Sequence, residues 1–167
     1  MSKLSAILMV LILSGCATAY QPTGFSGGFS EIQLADNVWQ VSFEGNGYTK
    51  DKRARDLALL RSADLTLQQG YTHFFIADSA NSHELSTFTM PATSYTTGSI
   101  YGSGRYAYGN ATTTTYGGGT SLIKKPETTN VVHMFRGKPD VPFMVYEAGF
   151  ICTSFGQKYD VTCGVTK

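Results

Sequence analysis

The chain is predicted to fold as a single α+β domain, with about four strands in a mixed sheet packed by two helices. Three observations carry that prediction. Trp39, Val41 and Phe43 alternate with Gln40, Ser42 and Glu44, the period of two of a half-buried strand. Apolar residues then recur at helical spacing up to about Gln69, and Tyr71 to Ala77 returns to strand spacing, with Phe74 and Ile76 on one face. Strand, helix, strand over residues 37–78 is a βαβ unit, whose crossover suits two parallel strands that need not be neighbours.

Taken in order, Gly28-Phe29-Ser30-Glu31-Ile32 and Leu34 form a lead-in to the first strand, which Gly45-Asn46-Gly47 ends as a turn. Thr49 or Asp51 can cap the helix, and Gly70 stands where a left-handed terminating residue belongs. Leu57, Leu60, Ala63 and Leu67 make one apolar stripe, and Ala54, Ala58 and Leu65 a second. A helix apolar on two sides is expected to be covered on more than its sheet face. Asp78-Ser79-Ala80-Asn81 reads as a turn into a third strand, Ser82 to Met90, taken as an antiparallel return. Val131 to Arg136 reads as a fourth strand, stopped by Gly137-Lys138-Pro139. Asp140 is placed to cap a last helix with Pro142 in its first turn, burying Phe143, Tyr146, Phe150 and Ile151 and ending at Gly156.

Between Pro91 and Ser121 the composition changes. Thr, Gly, Tyr and Ser supply 24 of the 31 residues and Arg105 is the one charge. So little aliphatic surface cannot offset ordering entropy, and the insertion at 91–121 is expected to be disordered or a loosely paired hairpin. Five of the ten tyrosines lie there, at 95, 101, 106, 108 and 116. Tyrosines among small polar residues bind proteins and stack on sugars at low entropic cost, so Tyr101, Tyr106, Tyr108 and Tyr116 form a candidate contact surface. The alternative is a solvated insertion with no partner.

The amino terminus has Lys3, the apolar run Ala6 to Leu13, and then Ser14-Gly15-Cys16. An apolar run this short cannot cross a bilayer, which needs roughly 20 residues. The pattern resembles the lipobox of bacterial lipoproteins. The resemblance implies cleavage after Gly15, a diacylglyceryl thioether on Cys16 and an acylated new terminus, anchored by two or three chains. It divides the chain into a signal peptide at 1–15, a lipidated flexible tether at 16–28 and the domain at 29–167. Ala17, where inner-membrane lipoproteins typically carry Asp, implies an outer-membrane address on the periplasmic face. With Cys16 given to lipid, Cys152 and Cys163 remain as a pair in an oxidising compartment, and a disulfide is expected. Such a loop stabilises by about 3 kcal/mol in the chain-entropy picture.

The 13 Lys and Arg lose Lys3 with the leader and then equal the 12 Asp and Glu. Balanced charge argues against nucleic acid, which needs clustered cations. Gly24-Phe25-Ser26-Gly27-Gly28 matches the spacing of a hydrolase nucleophile but lies in the tether, without the strand and helix that chemistry requires. His73, His83 and His133 fall on predicted strands without paired metal-ligand spacing, so no metal or cofactor is expected. No phosphate-binding loop occurs.

Gly28-Phe29-Ser30-Glu31, Asn37, Val41-Ser42-Phe43, Gly45-Asn46, Arg53-Ala54, Asp56, Ala58 to Leu65 and Gly70 to Ile76 together resemble a family of small proteobacterial lipoproteins of unknown function. The likeness covers roughly residues 16 to 78, with an echo at Tyr146-Glu147-Ala148, and implies no reaction or ligand. Glu31, Arg53, Asp56 and Arg61 could form an ionic cluster tying the lead-in to the helix. The sequence therefore points away from an enzyme. It points to a non-enzymatic envelope accessory or protein-interaction module, held to the membrane by its lipid and delivered by the lipoprotein-sorting machinery. Another envelope protein or peptidoglycan is its candidate partner. The alternative is a periplasmic binding module that takes a glycan or small ligand on the tyrosine-rich segment.

Overall fold

The computed structural model describes residues 17–164, so the lipid-attachment expectation at Cys16 lies outside the described residues. The chain divides into two compact units, Met1–Glu84 with Lys124–Lys167, and Leu85–Ile123.

The larger unit holds a five-stranded sheet in the order β1-β2-β6-β3-β7. In chain order its elements are β1 (Gly28–Ala35), β2 (Val38–Glu44), α1 (Asp51–Gln68), β3 (His73–Thr89), β6 (Thr120–Phe135), β7 (Tyr146–Glu147) and α2 (Ala148–Tyr159); β3 and β6 run on past the boundary between the units. β2 is antiparallel to β1, with Phe43 opposite Phe29, and antiparallel to β6, with Val41 opposite Asn130. Along β3, Ser79, Asn81 and Ser82 hydrogen-bond to Asn130, Thr128 and Glu127 of β6, a falling order that makes this pair antiparallel as well. Thus β2 and β3, joined through α1, are parallel as expected, with β6 between them.

The core lies between the sheet and both helices. Val41, Phe43, Phe74, Val132 and Met134 from the strands meet Leu57, Leu60 and Ala63 of α1 and Ile151 of α2. Both stripes of α1 find cover, since Ala54, Ala58 and Leu65 are buried too. Two polar residues inside this helix, Ser62 and Thr66, are buried and bond back to the carbonyls of Ala58 and Ser62 at 2.8 and 2.6 Å, so both hydroxyls are paired. Gly70, at φ 76°, ends the turn after α1 as predicted.

Several expectations are corrected. The sheet has five strands rather than four, and a second, two-stranded sheet accompanies it. The lead-in is itself an edge strand, whose inward positions hold Phe29 and Glu31 while Ile32 and Leu34 are exposed, a pattern that hides it from a hydrophobicity reading. The supposed turn at 78–81 is continuous strand, because polar side chains supply the cross-strand pairing there. The last helix starts at Ala148, since Tyr146 and Glu147 pair with Phe74 and His73 of β3; Phe143 and Phe150 are exposed, not buried. Gly156 does not end that helix. It lets the tail return, with the Val161 carbonyl oxygen 2.6 Å from where a Cβ would stand, and the chain reverses at Asp160 instead. Residues 17 to 28 are fastened rather than loose: Thr18 is 1% exposed and bonded to Thr49, Ser26 and Asn46. The disulfide between Cys152 and Cys163 is present, joining α2 to the tail.

In the smaller unit, β4 (Thr93–Ser103) pairs with β5 (Tyr106–Tyr116) in unbroken antiparallel register, so of the two expected states the hairpin is the one formed. Gly104, at φ 67°, opens the two-residue turn Gly104-Arg105, which suits the right-handed strand twist. Gly117, at φ 87°, lies so close to the Pro91 carbonyl that a Cβ would stand 2.2 Å from its oxygen.

Candidate functional site

The register of β4 and β5 decides what the tyrosine segment can do. Tyr101 stands directly opposite Tyr108, Tyr106 opposite Ser103, Tyr116 opposite Thr93 and Tyr95 opposite Thr114. Directly opposed residues share a face and alternate residues along a strand share a face, so all five tyrosines lie on one side of the ribbon. They are 65 to 84% exposed. The other side carries small residues and Ile100, with hydroxyl pairs Ser94–Thr115 and Thr96–Thr113 at 2.8 Å. The four residues singled out from sequence are thus brought together, and Tyr95 joins them.

A second candidate is a cleft of about 610 Å³ in the larger unit, lined by Tyr20, Phe29, Glu31, Arg61, Asp64, Gln68 and the tail residues Asp160 to Thr162. Arg61 of α1 grips Glu31 of β1 with two nitrogens, at 2.9 and 2.6 Å, and Asp64 with a third, at 2.8 Å. Its guanidinium also lies 4.2 Å from the centre of the Phe29 ring. Burial works against the Arg61 charge, yet its bonds to the Glu31 carboxylate hold its pKa above the ordinary value. Burial, and then the hydrogen bond to Asp64, raise the Tyr20 hydroxyl well above its ordinary range, so it remains neutral and serves as a donor, not a base. Asp64 accepts four bonds, from Tyr20, Arg61, Gln68 and the backbone N–H of Gly164. These groups spend their bonding capacity on one another. Its floor is a clamp joining the lead segment, β1, α1 and the tail.

The anticipated four-residue ionic cluster splits in two. Glu31 and Arg61 tie β1 to α1, whereas Asp56 accepts from Lys158 at 2.6 Å and Tyr159 at 2.7 Å, tying α1 to α2. Burial raises the Asp56 pKa, but those two bonds outweigh it and leave the carboxyl below its ordinary value. Arg53 bonds instead to the Thr18 carbonyl. The histidines are scattered: His73 bonds Thr72, His83 lies 3.8 Å from Asp51, and His133 stacks on Phe75. Among the described residues no three metal-binding side chains gather. Sequence reading missed the roles of Thr18, Tyr20 and Gly164, which carry no local pattern. The Arg61 and Asp64 pair, three apart on one helix, was the signal that could have led to the clamp.

No known family matches the chain, and neither curated proteins nor solved structures give a match.

Proposed function

We propose that this chain is an outer-membrane lipoprotein, anchored through Cys16 on the periplasmic face, that acts without catalysis as a protein-interaction module. The tyrosine face of the β4–β5 ribbon is its contact surface. The observation that carries this reading is the gathering of five exposed tyrosines on one side of a ribbon that has no core beneath it. Tyrosine brings large, rigid, amphipathic area with few rotatable bonds, so covering it costs little order. An isolated two-stranded ribbon is only marginally stable, and a partner laid on one face would complete it. The address rests on the lipobox resemblance, and the Cys152–Cys163 bond agrees with an oxidising compartment. Among the described residues no helix is long and apolar enough to cross a membrane.

A photo-crosslinking residue at position 106, used in cells, tests the proposal. Discrete protein adducts are expected. No adducts, with the purified protein retained on peptidoglycan, would overturn the protein-contact reading and favour a glycan laid on the same tyrosines.

A further inference from the structure

Thr18 is held on every side. Its N–H donates to Thr49 Oγ1 at 3.0 Å, its hydroxyl donates to the Ser26 carbonyl at 2.8 Å, its Oγ1 accepts from the Asn46 N–H at 2.8 Å, and its carbonyl accepts from Arg53 at 3.1 Å. These bonds fix the start of the described chain against two turns, and each turn displays an aromatic ring to solvent. Phe25 stands at the tip of the Gly24–Gly27 turn with 112% relative exposure, and Tyr48 in the 45–49 turn is 75% exposed. The first turn is rigid. Gly24 and Gly27 bond each other's backbone in both directions, and Gly27, at φ 87°, stands so close to β2 that a Cβ would lie 2.3 Å from the Glu44 carbonyl oxygen. A phenylalanine held out by a rigid turn gains nothing from the fold itself.

Cys16 is two residues before Thr18, so the lipid-bearing residue lies within about 7 Å of this fixed point. The headgroup layer on one side of a bilayer is about as thick, on the order of 6 Å. We infer that Phe25 and Tyr48 are an interfacial foot, two rings seated in the headgroup layer of the leaflet that holds the anchor, so that the domain is oriented rather than free to swing. This inference rests on the proposed acylation. Aromatic rings that are apolar in body and polar at one edge concentrate at this depth, and Tyr48 has that form. Charge around the foot is mixed, with Lys50, Lys52 and Arg55 against Glu44 and Asp51, so seating depends on the rings and the lipid anchor, not on anionic lipid.

The test uses the full acylated protein carrying Phe25→Trp, in phosphatidylcholine vesicles with and without brominated acyl chains. Wild-type protein, whose one tryptophan is Trp39, supplies the baseline. A loss of about half of the added emission in brominated vesicles is expected for a ring buried 5–10 Å into the interface. Protein that floats with the vesicles but shows no quenching beyond the baseline would overturn the foot and leave the anchor standing. Protein that does not float with them overturns both.

Discussion

In the larger unit, β2 places Val41 and Phe43 out of reach of solvent beneath α1, whereas in the smaller unit every residue of β4 and β5 is exposed. Both regions are antiparallel β-structure, although β2 is paired along both edges and each ribbon strand along one. The larger difference is aliphatic content. Val41, Phe43, Phe74, Ile76, Val132 and Met134 on one face of β2, β3 and β6 meet a helix with two apolar stripes, and the burial stabilises the whole. The ribbon offers tyrosines on one side and threonine pairs on the other, each cross-strand pair contributing about 0.2–1 kcal/mol. One unit has a core of its own, and the other has none.

The contrast can be broken in three ways. Phe43→Ala should remove about 3–5 kcal/mol, read as a lower urea midpoint, because the ring is wholly enclosed; a loss below about 1 kcal/mol would mean that the core is looser than its packing indicates. Tyr20→Phe should cost about 1 kcal/mol at neutral pH by removing a donor from Asp64. The wild-type hydroxyl binds its proton more tightly folded than unfolded, so stability is full below the ordinary value of 10 and falls as pH rises above it. The variant should lose that part of the alkaline slope, and an unchanged slope would discount the clamp. The smallest effect should come from the largest excision. Replacing residues 91–118 by Asn-Gly, between the hydrogen-bonded Met90 and Gly119, should alter the stability of the larger unit by less than about 1 kcal/mol.

How much could be read in advance follows the same division. β2 and α1 were legible because their apolar periodicity coincides with their buried faces, and Gly70 marked the helix end. β1 was not, since its inward Glu31 is paid for only by Arg61, thirty residues on. The unbroken run of β3 was hidden because Ser79 and Asn81 are turn formers by habit, made strand residues here by Asn130 and Thr128. Thr18 is tied down by a distant threonine, and nothing local announces it. The tyrosines were conspicuous, but their common face emerges only from the register, in which Tyr95 and Tyr101 on odd positions meet Tyr106, Tyr108 and Tyr116 on even ones.

The central strand β6 follows both of its neighbours in the chain, arriving some 50 residues after β3 begins. Until it is delivered, the β1–β2 hairpin and β3 have no common partner, and α1 has only half a floor. Closing the sheet therefore waits on contacts distant in sequence, which form late and slowly. A polypeptide made from its amino-terminal end in this order stays open until β6 follows, and becomes compact only when most of its length is present.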